Sequence, residues 1–150
     1  RSRVRDLCQR KRFSPRSIAD IPDADLRRAG LSGRKVRYIR DLSAHFRDGR
    51  LRPSTLRTMS DEEVIAATTQ VVGVGRWTAE MLLIFCLERP DVWPIDDLGL
   101  QVAAQKLLRN RAPMTPARLR TLADPWRPYR THATWYLWRS LDAPVAPGLT

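Results

Sequence analysis

A short turn with two glycines is the part of this sequence whose residue types and spacing first suggest chemistry. It reads Val72-Gly73-Val74-Gly75-Arg76 and lies between two segments with helical patterning. Glycine adopts positive φ at no steric cost and lets the backbone approach a ligand closely. A helix that begins directly after such a turn presents its first amide N–H groups, and the positive end of its dipole, to an anion. The turn therefore predicts a phosphate-binding site built mainly from backbone amides.

The carbonyl groups of the same turn suggest a second ligand. Those of Gln70 and Val72 could converge on one monovalent cation, Na⁺ or K⁺, which would bridge to the phosphate. We expect no other cofactor. An ordinary turn between two helices would show the same glycine spacing, so the spacing alone leaves both interpretations open.

A pair of carboxylates, Asp96-Asp97, follows Pro94 at the start of another predicted helix. Aspartate is a favoured N-cap residue, so either carboxylate can have a purely structural role there. We expect Asp96 to be the cap.

Positive charge is concentrated at the two ends of the chain. The formal net charge is +11; residues 1–57 hold 17 basic and 6 acidic side chains, residues 58–108 hold 3 and 8, and residues 109–150 hold 7 and 2. This balance predicts a polyanionic partner, attracted by the flanks and gripped in the acidic middle by backbone amides. Arginine supplies nearly all of the positive charge, however, and a base-composition bias of the genome would produce the same excess.

The elements that must position these residues are predicted to be helices throughout. Apolar residues recur at helical spacing, strand-like alternation is scarce, and Ser60-Asp61-Glu62-Glu63 forms a capping box. The predicted helices are Asp23–Arg28, Gly33–Asp48, Pro53–Thr58, Asp61–Thr69, Arg76–Leu87, Asp97–Arg109, one that Thr115 caps, and Pro128–Leu141. The tail of residues 143–150 is rich in proline and predicted to be flexible.

Several classes of protein are disfavoured by what the sequence lacks. No apolar run approaches the roughly 20 residues that span a bilayer. The two cysteines, Cys8 and Cys86, form no zinc or iron–sulfur spacing. Cys86 lies in an apolar run and is predicted to be a small core residue. The two histidines, His45 and His132, lie on predicted helices and are expected to be structural.

Three blocks of sequence, in this order, carry a resemblance to a known family. They are Gln70 to Ala79, then Val92 to Leu100, then Trp126 to Arg130 leading to Trp135 to Leu141. Together they resemble the helix-hairpin-helix DNA glycosylase superfamily, specifically its 3-methyladenine DNA glycosylase II branch. The resemblance extends from about Phe13 to Leu141. It implies an all-α fold and a monofunctional glycosylase that removes alkylated bases in base excision repair.

The resemblance also implies roles for individual residues. Asp97 occupies the position of the catalytic aspartate, whose carboxylate stabilises the positive charge that develops on the sugar as the N-glycosidic bond breaks. The DNA backbone would contact Val72, Gly73, Val74, Gly75, Arg76 and Thr78.

Trp77 defines the subclass. Family members that also nick the backbone have a lysine at this position, which attacks the sugar to form a Schiff base. With tryptophan there, we expect no lyase activity, and the resemblance implies that Trp77 stacks on the extruded base. Trp138 matches a second aromatic residue of the base pocket. Core packing is the alternative for both side chains.

The sequence differs from the family at its beginning, where the upstream helix of family members has no counterpart. We therefore expect residues 1–142 to form a partial helix-hairpin-helix glycosylase domain. The expected partner is double-stranded DNA containing alkylated bases, bound by a monomer with no membrane association, in the cytoplasm at the nucleoid. A non-catalytic helix-hairpin-helix DNA-binding module is the alternative, and a helical domain that binds RNA or protein is a more distant one.

Overall fold

The structure of the chain, a computed structural model, describes residues 2–8, 13–108 and 113–142. Every regular element in those ranges is helical, which confirms the predicted all-α fold. The α-helices are α1 (Ser2–Asp6), α2 (Pro15–Ala19), α3 (Asp23–Arg28), α4 (Gly33–Arg47), α5 (Pro53–Thr58), α6 (Asp61–Thr68), α7 (Arg76–Phe85), α8 (Leu98–Leu107), α9 (Pro116–Ala123) and α10 (Arg130–Asp142). The chain divides into two compact units, Arg1–Ala79 and Glu80–Thr150.

Side-chain caps begin several of the helices. At the start of α6, the Glu63 amide donates to the Ser60 hydroxyl at 3.4 Å, and the Ser60 amide donates to the Glu63 carboxylate at 2.7 Å. This is the predicted capping box, and the hydrogen bonds that the Ser60 hydroxyl and amide donate to the Glu63 carboxylate lower the pKa of Glu63. Thr115 caps α9 as predicted, with Pro116 in the first helical position.

In the first unit, α4 is joined to the two helices that precede it. The Arg40 guanidinium donates to the carbonyls of Ile18 at 2.7 Å and Ala19 at 2.9 Å, and it forms an ion pair with Asp23 at 2.8 Å. The apolar core beneath these contacts consists of Cys8, Ile18, Ile21, Leu26 and Val36. These contacts hold α4 to α2 and α3. Helix α4 is also the helix that supports the glycine turn.

In the second unit, α8 packs against α10 over an apolar core. The buried residues are Trp93, Leu100, Ala103, Ala104, Met114, Leu119, Ala123 and Leu137. The connector before α8 is held to the start of α10. The Arg130 side chain donates to the Asp91 carboxylate at 2.6 Å and lowers its pKa. The Thr131 hydroxyl donates to the Arg89 carbonyl at 2.6 Å.

The structure corrects some predicted boundaries. Helix α7 ends at Phe85 rather than Leu87, and α10 begins at Arg130 rather than Pro128. The predicted burial of Cys86 is wrong: Cys86 is exposed, because it lies beyond the end of α7, while Cys8 is buried. The predicted domain limit at residue 142 stays a prediction. Arg109 and the tail of residues 143–150 lie outside the described residues.

Two kinds of feature are absent from the described ranges. No helix among residues 2–8, 13–108 and 113–142 is long and apolar enough to cross a membrane. Over the same part of the chain, no three histidine, cysteine, aspartate or glutamate side chains come together in a way that would hold a metal ion. His45 is buried, as a structural histidine would be, whereas His132 is exposed.

Candidate active site and nucleic-acid interface

The two glycines of the turn differ in their surroundings. Gly73 has a φ of +86°, and a Cβ placed on it would lie 2.5 Å from Cδ2 of Tyr38. Both its backbone conformation and the Tyr38 ring therefore require glycine. Gly75 has no such φ, and a Cβ there would meet nothing within 4 Å. The space in front of α7 is thus open at Gly75.

The hydrogen bonds within the turn reduce the number of backbone amides that are left to contact a phosphate. The Val72 amide donates to the Asp41 carboxylate at 2.8 Å, and the Val74 amide donates to the Val71 carbonyl at 3.0 Å. Two amides of the turn are thus donors within the chain. The Ala79 amide donates to the Gly75 carbonyl at 3.1 Å and opens the hydrogen-bond series of α7. The amides of residues 75–78 precede that bond and are the ones that such a helix start directs at an anion.

The two side chains predicted to contact DNA near this turn lie in different environments. The Arg76 guanidinium forms an ion pair with Glu62 at 2.6 Å, and the hydrogen bond between them lowers the pKa of Glu62. The charge of Arg76 is therefore already matched by a carboxylate of α6. Thr78 is exposed in the first turn of α7.

The predicted cation site depends on the carbonyl oxygens of the turn. Its internal hydrogen bonds use the carbonyls of Thr68 and Val71. The carbonyls of Gln70 and Val72 belong to the same turn, and the Gln70 side chain folds back to the Ala66 carbonyl at 3.3 Å. Carbonyl oxygens are ligands that suit Na⁺ and K⁺, so the residues present fit such an ion. The site itself stays a prediction.

Trp77 follows Arg76 in the first turn of α7, and its side chain is 46% exposed. A tryptophan with that exposure is not a core residue, which argues against core packing as its role. Its predicted contact with an extruded base stays a prediction.

Asp97 is the N-cap of α8, and the prediction that Asp96 would be the cap was wrong. The Leu100 amide donates to Oδ1 of Asp97 at 2.6 Å, and Asp97 is only 9% exposed. Asp96 is exposed. Asp97 is the cap because the helix begins at Leu98, which gives Asp97 the extended backbone that an N-cap adopts.

A second donor reaches the same oxygen of Asp97. The indole N–H of Trp138, on α10, donates to Oδ1 at 2.8 Å. The structure therefore brings together two of the predicted site residues, Asp97 and Trp138. Trp138 stacks on Phe85 with 6.0 Å between ring centroids and meets Trp135 edge-on at 5.7 Å. Phe85 and Trp135 are both about half exposed, so this aromatic cluster is not wholly core.

The arrangement around Asp97 suits electrostatic chemistry. The two N–H groups that donate to Oδ1 of Asp97 fix the orientation of its carboxylate. An oriented carboxylate with little exposure to water stabilises a neighbouring positive charge more strongly than one in bulk solvent. The site thus offers a fixed negative charge at the start of a helix.

A groove of about 750 Å³ in the second unit was not anticipated from the sequence. It is lined by Trp126, Tyr129 and Tyr136 among others, and Asp97 is not one of its lining residues. This groove is therefore distinct from the carboxylate site.

Three residues that support the two sites were also missed. Tyr38 and Asp41 lie on α4, more than 30 positions before the turn they contact, and no local pattern links them to it. Gly99 lies two residues after Asp97, and a Cβ there would be 3.1 Å from Oδ1 of Asp97. A glycine within the first turn of a helix, where it is unfavourable, was the one signal available.

Comparison with known proteins defines the class of protein to which these features belong. Residues 2–128 match the model of the HhH-GPD superfamily of base excision DNA repair proteins. The chain belongs to that superfamily. The match confirms the resemblance on which the sequence analysis relied.

Individual relatives give a finer comparison. The chain is 36% identical over 130 residues to DNA-3-methyladenine glycosylase 1 of Schizosaccharomyces pombe, covering 85% of this chain and 56% of that protein. It is 33% identical over 126 residues to a DNA-3-methyladenine glycosylase of Bacillus subtilis, covering 83% of this chain and 41% of the relative. The chain thus spans about half the length of these relatives.

Solved structures agree in fold. A DNA-3-methyladenine glycosidase from Bacillus halodurans superposes with a TM-score of 0.85 at 37% identity, covering 93% of this chain and 64% of that one. The S. pombe 3-methyladenine DNA glycosylase Mag1, in complex with abasic DNA, gives a TM-score of 0.82 at 30% identity, covering 95% and 72%.

Proposed function

We propose that this chain acts as a monofunctional DNA glycosylase, which hydrolyses the N-glycosidic bond of alkylated bases of the 3-methyladenine type in base excision repair. The observation that carries the proposal is the Asp97 carboxylate, held at the start of α8 by the Leu100 amide and the Trp138 indole. The relatives named above, which are called 3-methyladenine glycosylases, support the choice of substrate class.

The chemistry follows from charge. Breaking an N-glycosidic bond gives the sugar an oxocarbenium-like character, and an ionised carboxylate close to C1′ lowers the energy of that state. Asp97 would also orient or deprotonate the attacking water. An alkylated purine such as 3-methyladenine is already cationic and leaves readily, so the reaction does not depend on a dedicated general acid.

The residue at position 77 sets the expected product. Tryptophan has no amine to attack the sugar, so the proposed product is a free base and an unbroken abasic site. The exposed Trp77 ring would stack on the cationic base. Trp138 is the second aromatic side chain that the resemblance assigns to base binding.

Duplex DNA is the proposed partner, bound by a monomer in the cytoplasm at the nucleoid. The excess positive charge of residues 1–57 would attract the duplex, and the glycine turn would hold one phosphate through backbone amides. In the same proposal, the carbonyls of Gln70 and Val72 hold a Na⁺ or K⁺ ion. Such an ion would supply positive charge next to the phosphate.

The test is release of base from methylated duplex DNA under single-turnover conditions. We expect Asp97→Asn to slow release of 3-methyladenine by at least about 100-fold, because the variant loses the charge that stabilises the sugar cation. Affinity for duplex DNA, measured by fluorescence anisotropy, should stay nearly unchanged. Asp96→Asn is the matched control, because it removes the exposed neighbouring carboxylate, and it should release base at the wild-type rate.

The outcomes separate the alternatives. Release at an unchanged rate by Asp97→Asn would remove Asp97 from the mechanism. Salt-sensitive binding of duplex DNA by the wild-type chain, without release of any alkylated base, would identify a non-catalytic DNA-binding module instead. A helical domain that binds RNA or protein would show no preference for duplex DNA.

A further inference from the structure

We propose that Gly99 is a positioning residue for the Asp97 carboxylate, because the missing side chain at this position leaves Oδ1 the room to accept from both Leu100 and Trp138. The inference rests on the proposed function, since it assigns the orientation of Asp97 a role in the rate of base release. Gly99 itself touches neither substrate nor reacting atoms.

The geometry places Gly99 between the two groups. A Cβ built on Gly99 would lie 3.1 Å from Oδ1 of Asp97 and 3.5 Å from both Cδ1 and Nε1 of Trp138. The contact with Oδ1 is closer than ordinary van der Waals packing allows, so the carboxylate would have to shift. Two hydrogen bonds end on this oxygen, from Leu100 at 2.6 Å and from Trp138 at 2.8 Å. A shift of Oδ1 by a few tenths of an ångström would therefore strain them.

Backbone conformation does not explain the glycine. Gly99 lies within α8 and has no positive φ, so an L-residue fits its backbone. Alanine is the better helix former, and a purely structural role for position 99 would make alanine neutral or favourable. The space that Gly99 leaves beside Oδ1 is the remaining reason for glycine here.

The experiment compares Gly99→Ala with Trp138→Phe, which keeps an aromatic ring but removes the indole N–H. We expect each variant to slow single-turnover base release at least about tenfold, because the carboxylate is misplaced or loses a donor. Affinity for abasic duplex DNA should stay at the wild-type level. Gly33→Ala is the matched control: it also lies at a helix start, its Cβ would meet only the end of the Arg27 side chain at 3.7 Å, and its rate should be that of wild type.

A double-mutant test separates positioning from general damage. If Gly99 acts through Asp97, Gly99→Ala does not slow release further in an Asp97→Asn background. Additional slowing there, or wild-type release by Gly99→Ala in an active protein, overturns the inference and leaves the proposed function standing.

A spectroscopic readout tests the geometry even without turnover. The chain has five tryptophans, and the indole N–H signal that disappears in Trp138→Phe identifies Trp138 in a proton–nitrogen NMR spectrum. We expect Gly99→Ala and Asp97→Asn to shift that signal more than the other four. An unmoved Trp138 signal overturns the inference. If the wild-type chain releases no base while the signal shifts, the proposed function fails and the positioning contact stands.

Discussion

The N-termini of α7 and α8 differ in the residue that precedes the helix. At α7, the residue before the helix is Gly75, which has no side chain with which to cap it, and a Cβ there would meet nothing within 4 Å. At α8, the Asp97 carboxylate takes the Leu100 amide and closes the end of the helix. The start of α7 is the predicted site for an external anion, and the start of α8 holds a carboxylate of the chain itself. The identity of the residue before the helix thus decides whether its dipole recruits a ligand or fixes a carboxylate.

The largest loss of stability is expected where the turn is most constrained. Gly73→Ala combines a positive φ with a Cβ 2.5 Å from the Tyr38 ring, and it should lower the free energy of unfolding by about 3 kcal/mol. Urea denaturation measures the change. Tyr38→Ala in the same background should recover part of the loss; if it recovers none, the ring is not the obstacle.

A smaller loss is expected from the support of the turn. Asp41→Ala leaves the Val72 amide without its carboxylate acceptor and should cost about 2 kcal/mol in the same denaturation experiment. Asp48→Ala, at the exposed end of the same helix, is the control and should stay within about 0.5 kcal/mol of wild type. Equal effects of the two changes would contradict the role given to Asp41.

At α8, the charge and the cap can be separated. Asparagine is as good an N-cap as aspartate, whereas alanine is not, so Asp97→Ala should be less stable than Asp97→Asn by about 1 kcal/mol. Both variants lose the negative charge and should be equally slow in base release. Comparable stability of the two variants would mean that the cap contributes little.

The smallest change in stability is expected at the open glycine. Gly75→Ser supplies a favoured N-cap side chain where a Cβ meets nothing, so the free energy of unfolding should change by less than about 0.5 kcal/mol. The new side chain fills the space in front of α7, and affinity for duplex DNA should fall about tenfold, as measured by anisotropy. Undiminished affinity would show that no phosphate approaches this turn.

The fold could be predicted from sequence where local chemistry decides it. The capping box at Ser60 and the cap at Thr115 were readable because each joins residues three positions apart. Contacts such as Asp41 to Val72 span 31 positions, and no local pattern specifies them.

The carboxylate site shows the same limit on a finer scale. The resemblance to the family pointed to Asp97, whereas the local pattern assigned the cap to Asp96, because a shift of one residue in the start of a helix is beyond what pattern alone determines. The pairing of Asp97 with Trp138 depends on how α8 and α10 pack, and the space at Gly99 matters only once that packing is known.

The ion pair between Glu62 and Arg76 changes the electrostatic potential that an approaching polyanion meets. The middle of the chain carries more acidic than basic side chains, and Glu62 stays ionised to low pH because its hydrogen bond with Arg76 lowers its pKa. The Arg76 guanidinium lies 2.6 Å from the Glu62 carboxylate, so near the beginning of α7 the two charges act as a pair and not as an isolated negative charge. Beyond about 8 Å, the Debye length at physiological salt, such a pair contributes little potential of its own. A phosphodiester nearing the turn is then repelled less by this carboxylate and meets the partial positive charge of the peptide dipoles more directly.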